Sequence, residues 1–324
     1  MKFTYVLVST NHDYYPEETF ISMFTLRKHH PNSHILLITD KPTFDTLEGN
    51  RARLKNYTDD IIILNPPAHF NPCQRSRFLK TSLRQNIDGD FLYLDNDTII
   101  TGDLSELSQI DGEVAAVLNQ HREDWSMTNL HLMLELYYSH AGKQINEDKY
   151  IKDYFNGGVF FCRDSVNSHK FFQKWHELWL KDVTEINFYK DQPSMWRANY
   201  LCGNLLKRLD GIYNCQLIYP RFSLPFLGSA KILHYFSSTS KANHLKIKDN
   251  GFLDKIRHEG ISITTENYIR NFKIEYLNGL RIIMDEEKDF YDSPFGIMSK
   301  KIFRTLPVVN SISRKIYSLF GYKI

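Results

Sequence analysis

Phe91-Leu92-Tyr93-Leu94-Asp95-Asn96-Asp97-Thr98-Ile99-Ile100 is the stretch around which the rest of the chain is organised. Four apolar or aromatic residues in succession predict a buried strand. Asp95 and Asp97 follow at once, one residue apart, before Thr98-Ile99-Ile100 resumes the apolar pattern. Two carboxylates so close repel each other and lose hydration unless a cation or a set of donors offsets them. In open α/β sheets, ligands lie outside the carboxyl ends of the strands. The pair therefore predicts a divalent metal site that holds a phosphorylated substrate. Asp and Asn are also common turn residues, so turn chemistry alone is the bland alternative.

A chain of 324 residues accommodates one large α/β domain with an appendage, or two small domains. With 42% hydrophobic and 24% charged residues it has the make-up of a globular protein, and an aromatic share of 14% suits stacking on sugars or bases as well as a core. The formal charge of +2 neither requires nor excludes an anionic partner, and no nucleic-acid partner is expected. Cys73, Cys162, Cys202 and Cys215 have no C-x-x-C spacing, so a reduced compartment is the default and Cys162, in an apolar run, reads as core. The apolar run at 3–9 is too short for a signal peptide, and no run reaches the length of a membrane span. A cytoplasmic protein is expected.

Residues 3–9, 34–39, 61–64 and 91–94 read as strands, with helices over about 16–28, near Phe44 and over 75–86. Pro16-Glu17-Glu18 has the composition of a helix's first turn. This alternation predicts an α/β fold with a mostly parallel sheet covered on both faces, a nucleotide-binding half. Further strands are expected at 114–118, 159–161, near Leu217 and at 232–236, and helices at 128–140, 166–180 and 194–199. Phe171, Trp175, Leu178 and Trp179 share one side of the 166–180 helix and read as core. After about Asn243 the alternation fades, which divides the chain into a domain over 1–243 and a basic, mainly helical extension over 244–324.

A strand followed by Asp-x-Asp-x-Thr resembles the signature of haloacid-dehalogenase-type phosphatases, in which Asp95 would be the nucleophile. That signature normally ends the first strand of its domain; here several strands precede it. Several stretches in order instead resemble glycosyltransferase family 8, the group of glycogenin and bacterial lipopolysaccharide galactosyl- and glucosyltransferases, over roughly residues 3–241. Thr10-Asn11-His12-Asp13-Tyr14 resembles its nucleotide-base loop, Arg77 an Arg near the metal and phosphates, and 91–97 its Asp-x-Asp strand. Gly102-Asp103-Leu104-Ser105-Glu106-Leu107 with Val114-Ala115-Ala116-Val117, Tyr154-Phe155-Asn156-Gly157-Gly158-Val159, Asp191-Gln192 and Tyr213-Asn214 continue the match. Two departures stand out. The family's His-x-x-Gly-x-x-Lys-Pro-Trp appears as His234-Tyr235-Phe236-Ser237-Ser238-Thr239-Ser240-Lys241-Ala242-Asn243, and Pro193 replaces the second Asp of Asp-Gln-Asp.

The resemblance implies a type A glycosyltransferase fold, with one Rossmann-like nucleotide-sugar-binding domain, and a retaining, metal-dependent hexosyltransferase that uses a UDP-sugar. It implies that Asp95, Asp97 and His234 hold Mn²⁺ or Mg²⁺, an ion that suits carboxylates with one imidazole and neutralises a departing diphosphate. It further implies that Tyr14 packs on uracil beside Thr10 and Asn11, and that Arg77, Asp95, Asn96, Asn156 and Lys241 contact the donor, with Asp153 a further candidate. Asp191 and Gln192 fall at the reacting sugar carbon. A double displacement needs a carboxylate there, and Gln192 is a poor nucleophile. A front-face route, with departing phosphate helping to deprotonate the acceptor and Asp191 binding sugar hydroxyls, is the alternative. A nucleotide-sugar-binding protein without turnover is the second functional reading.

Residues 293–324 carry Lys300, Lys301, Arg304, Arg314, Lys315 and Lys323 among apolar residues, with no Asp or Glu. They read either as an interfacial helix on an anionic membrane or as a tail packed on the domain. On the first reading, the acceptor is a lipid-linked glycan such as a lipopolysaccharide or other surface polysaccharide precursor.

Overall fold

The structure is a computed structural model that describes residues 1–122, 153–238, 245–280, 289–290 and 292–305. The helix expected over 128–140, Lys241 and the basic residues beyond 305 lie outside them. The chain divides into two units, Met1–Glu275 and Tyr276–Ile324, the second including a helix over Pro294–Thr305.

In the first unit, β1 (Lys2–Leu7) leads through α1 (Tyr15–His29) to β2 (His34–Asp40), and α2 (Lys41–Thr46) precedes β3 (Asp60–Leu64). Asp40 caps α2 by accepting from the Thr43 N–H. The start of α3 (Pro72–Thr81) is closed by an Asn71–Gln74 capping box with Pro72 in the first turn. The helix expected over 75–86 is two helices, α3 and α4 (Leu83–Asn86). Ser82 separates them, its hydroxyl turned back to the Leu79 carbonyl at 3.1 Å.

The remaining strands are β4 (Phe91–Leu94), β5 (Thr98–Ile100), β6 (Val114–Leu118), β7 (Phe155–Cys162), β8 (Leu206–Leu209), β9 (Cys215–Gln216) and β10 (Ile232–His234). Seven form one sheet in the order β3-β2-β1-β4-β7-β6-β8, and β5-β10-β9 form a second. The large sheet is parallel except where β7 runs antiparallel to β4 and β6. This is the mostly parallel α/β architecture expected of a type A glycosyltransferase fold. Strand order runs outward from β1 to β3 and then restarts at β4 on the other side of β1. That reversal opens the crevice at the carboxyl ends of β1 and β4.

Helix α5 (Val166–Ile186) covers the antiparallel part of the sheet. It continues past 180 and ends at Asn187, whose left-handed φ of 51° suits a helix cap. Phe171, Phe172 and Trp175 from α5 pack on Phe91 and Phe160 from the sheet in one buried aromatic cluster. Truncating such a side chain to Ala costs about 3–5 kcal/mol. Two indoles also shape the chain that follows. Trp175 Nε1 donates to the Asp191 carbonyl at 2.9 Å and Trp179 Nε1 to the Tyr189 carbonyl at 3.0 Å, which fixes the start of α6 (Asp191–Leu201).

Beyond Asn243, where the sequence pattern looked irregular, α7 (Asn250–Glu259) and α8 (Ile263–Arg270) belong to the first unit. Asp249 and Ser262 cap them, a signal of helix starts that is readable in the chain.

Candidate functional site

The Asp-x-Asp segment leaves β4 at the crevice, and strand register brings its partners to it. Leu94 pairs with Val159 of β7, so the Asp95 N–H reaches the Gly158 carbonyl at 2.8 Å and Asn156-Gly157-Gly158 lie beside the two aspartates. On the other side, Thr98 pairs with His234 of β10, and the Tyr235 N–H donates to the Asp97 carbonyl at 3.1 Å. His234 is thus placed by main-chain hydrogen bonds. Its Nε2 lies 3.2 Å from Asp97 Oδ1 and 4.0 Å from Asp95 Oδ2.

The other oxygen of each carboxylate is already engaged. Asp95 Oδ1 accepts from the Tyr93 hydroxyl at 2.5 Å and from Lys80 Nζ at 3.3 Å. Asp97 Oδ2 accepts from the Ser237 N–H at 2.9 Å, which Phe236 makes possible by adopting φ 53° while its ring stacks on His234. Burial works against the Asp97 carboxylate, but His234 and the Ser237 N–H outweigh it and hold its pKa down to about 2.

The imidazole tautomer follows from a chain of amides. The Gly158 N–H can only donate, so the Asn156 atom it meets at 2.9 Å is Oδ1. That oxygen also accepts from Asn214 Nδ2 at 2.9 Å, which turns Asn214 Oδ1 toward His234 Nδ1 at 3.1 Å. Nδ1 therefore carries a hydrogen, and Nε2 faces the two carboxylates. Two oxygens and one nitrogen surround a point that a proton or a cation must fill. Among the described residues, Asp95, Asp97 and His234 are a group whose ligand atoms all lie within 4.8 Å of one another. Gly158 leaves the room for it: a Cβ there would stand 2.3 Å from His234 Cε1 and 2.8 Å from Asp95 Oδ2. The donor set fits a divalent ion of the Mn²⁺ or Mg²⁺ type.

The adjoining wall is cationic. Lys80, buried on α3, lies 3.3 Å from both Asp95 Oδ1 and Asp191 Oδ2, and Arg77 Nε lies 3.3 Å from Asp191 Oδ1. Desolvation pushes the Asp191 carboxyl up, but Lys80 and Arg77 more than offset it and leave it below the ordinary range. Gln192 Nε2 donates to the Phe155 carbonyl at 3.1 Å. Asn96 Oδ1 is buried without a hydrogen-bond partner.

Thr10, Asn11 and Tyr14 lie in the loop between β1 and α1. Thr10 donates through N and Oγ1 to Asp13 Oδ2, Asn11 is exposed, and Tyr14 donates to Asp254 Oδ1 at 3.0 Å. Asp153, also considered above, pairs with Arg208 at 2.6 Å.

Sequence reasoning passed over Lys80, although Arg77 and Lys80 are three apart on one helix face. It also passed over Glu18, whose carboxyl burial and then Asp97 push well above the ordinary range and which accepts from Ser237 Oγ at 3.0 Å. Asn214 was legible as part of a recurring Tyr-Asn, but not its role as the partner of His234.

No curated protein matches the chain. Among solved structures, it is similar to the galactosyltransferase LgtC in complex with donor and acceptor sugar analogues, at 15% identity and a TM-score of 0.50, covering 89% of this chain and 99% of that one. It is also similar to the apo structure of the bifunctional glycosyltransferase WbbM, at 16% identity and a TM-score of 0.50, covering 83% of this chain and 51% of that one. At such identities the likeness is one of fold. The model of glycosyl transferase family 8 matches residues 77–242, just over half of the chain, and includes Asp95, Asp97 and His234. An Asp95-nucleophile phosphatase is thereby set aside, and the chain belongs to glycosyl transferase family 8.

Proposed function

We propose that this glycosyltransferase moves a hexose of the galactose or glucose type from a UDP-sugar to a glycan acceptor, with retention of configuration and with Mn²⁺ or Mg²⁺ at Asp95, Asp97 and His234. The observation that carries the metal dependence is the convergence of three ligand atoms, with His234 Nδ1 tied to Asn214 so that Nε2 is the atom offered. When bound, the ion neutralises diphosphate charge as the glycosidic bond breaks.

The chain's own residues supply the rest. Lys80 and Arg77 add positive charge beside the diphosphate position. Asp191 keeps its charge but shares it with both cations, which makes it a better partner for sugar hydroxyls than a nucleophile. Gln192 has its amide N–H on the Phe155 carbonyl and its oxygen left for the donor sugar. A front-face displacement is therefore favoured over a double one. Asn156 spends both polar ends on Asn119, Asn214 and Gly158, so its part is to hold the metal ligand in place.

The acceptor we favour is a lipid-linked glycan, such as a lipopolysaccharide or surface polysaccharide precursor at the inner face of a membrane. Support comes from the basic end of the chain and from exposed Phe295, Ile297 and Met298 on the Pro294–Thr305 helix. Among the described residues, no helix is long and apolar enough to cross a membrane. The test is release of UDP from a panel of UDP-hexoses at high enzyme concentration, with and without Mn²⁺, in wild type and Asp97→Asn. Metal-dependent release from one sugar, lost in the variant, is expected. Binding of UDP with no release, even with glycan acceptors added, would turn the assignment toward a binding protein.

A further inference from the structure

The loop at 10–14 has no regular structure, so its carbonyls need partners from elsewhere. Two arginines from distant parts of the chain supply them. Arg51 Nη1 donates to the Thr10 carbonyl at 2.8 Å, and Arg257 Nη2, from α7, donates to the Asp13 carbonyl at 2.7 Å. Glu17, buried in the first turn of α1, accepts from Arg51 Nε at 2.9 Å and from Arg257 Nε at 2.8 Å. One carboxylate thus locks two guanidiniums, and the guanidiniums hold the loop.

The same helix takes hold of the Tyr14 side chain. Asp254 Oδ1 accepts the Tyr14 hydroxyl at 3.0 Å, and the Arg257 guanidinium lies over the ring, 4.5 Å from its centroid. Asp254 and Arg257 are three residues apart on α7 and 3.7 Å from one another. A ring held at its hydroxyl and covered on one face by a cation is fixed in orientation, and Tyr14 is only partly buried. Both residues lie beyond the 77–242 segment that the family model matches.

We propose that α7 is a wall of the nucleotide-base subsite. In this reading Asp254 and Arg257 are positioning residues that present one face of Tyr14 to the base of a nucleoside diphosphate. Arg257 also withdraws electron density from the ring, which favours stacking on a base from the opposite side. The inference rests on the proposed UDP-sugar donor. It adds that base recognition and diphosphate recognition are held by separate parts of the chain, so each can be lost without the other.

The test compares UDP with inorganic pyrophosphate, both with saturating Mn²⁺, by calorimetry on the full chain. The proteins are wild type, Arg257→Lys, Asp254→Asn and Tyr14→Phe. Arg257→Lys keeps the charge but gives up the planar fork, and Asp254, about half exposed, can be changed with little risk to folding. For Arg257→Lys, UDP binding is expected to weaken by about fivefold to tenfold, part of what a stacked base contributes, with pyrophosphate binding within about twofold of wild type. Asp254→Asn and Tyr14→Phe should each give a smaller loss of the same selective kind. A variant that is merely less stable would lose both ligands together, and that result overturns the inference. So does UDP affinity unchanged in all three variants. Absence of UDP binding to the wild type, by contrast, overturns the donor assignment and this inference with it.

Discussion

Two corners of the site are built by different means. At the Asp95–Asp97–His234 corner, main-chain register sets where the three residues lie: β4 against β7 places Asp95 beside Gly158, and β5 against β10 places His234 beside Asp97. At the Thr10–Tyr14 corner, the loop is held by side chains, with Arg51, Arg257 and Glu17 forming the frame. The first corner lies inside the segment that the family shares, and the second draws on residues outside it. A corner held by main chain has little room to adjust, so one atom in the wrong place should be enough to spoil it. A corner held by long side chains should lose function in smaller steps.

The largest effect should come from the proposed metal ligands. Asp97→Asn should weaken Mn²⁺-dependent UDP binding by more than about 100-fold, beyond the roughly tenfold to 100-fold that even the hydrogen-bond partners of ligands carry. Calorimetry with and without Mn²⁺ measures it. Affinity within about threefold of wild type would remove Asp97 from the ligand set and dissolve the contrast between the corners.

Two adjacent glycines probe the same rigidity with a single methyl group. In Gly158→Ala the new Cβ meets the His234 ring edge and an Asp95 oxygen, both anchored, whereas a Cβ at Gly157 meets Asp191, Gln192 and Lys80 atoms at an ordinary 3.6 Å. Gly158→Ala should reduce Mn²⁺ affinity by about 100-fold and lower Tm, because overpacking of this kind costs about 1–3 kcal/mol or more. Gly157→Ala should change both only slightly. Equal effects at the two positions would mean that the ligands can move aside, contrary to a main-chain-held corner.

The amide chain behind His234 comes next. Asn214→Ala leaves Nδ1–H of a buried imidazole without its acceptor, at a cost of about 1–3 kcal/mol, and frees the ring to turn. Metal affinity should fall by about tenfold to 100-fold, the usual range for such partners. Unchanged affinity would show that ring stacking on Phe236 alone orients His234.

How much of this could be read from the chain beforehand differs between the corners for the same physical reason. The alternation of strands and helices, the buried run at 91–94 and the paired aspartates are local patterns, and they led to the parallel sheet and to Asp95 and Asp97. His234 was readable only through its place in an ordered set of motifs, because nothing local distinguishes it from a core histidine. Lys80 and Glu18 left weak local traces: each is a charged residue on an otherwise ordinary helix, and only the fold shows that it is buried beside another charge. The grip of Asp254 on Tyr14 spans 240 residues and has no local signature at all. Residues beyond 243 looked irregular since α7 and α8 are short, yet their caps at Asp249 and Ser262 were in plain view.

The smallest effect concerns pH and the strand that supports the metal corner. Strand β9 pairs with β10 so that Gln216 lies beside His234, and the Gln216 N–H donates to His121 Nε2 at 3.0 Å. Only an imidazole with a free lone pair on Nε2 can accept that bond. Burial pushes the pKa of His121 down to about 4, against a weaker opposing pull from Asp210. Its folded-state value is therefore below the unfolded value of about 6.5. Between the two the unfolded chain binds a proton that the folded chain refuses, so the contribution is complete above pH 6.5 and is lost as pH falls toward 4. The slope is at most about 1.4 kcal/mol per pH unit for one such group. His121→Gln offers an oxygen to the same N–H and does not titrate, so its loss of Tm between pH 6.5 and 4.5 should be about 2–4 °C smaller than that of wild type. Parallel Tm curves for the two proteins would show that acid reaches the metal corner by another route, through the carboxylates themselves and not through the strand behind them.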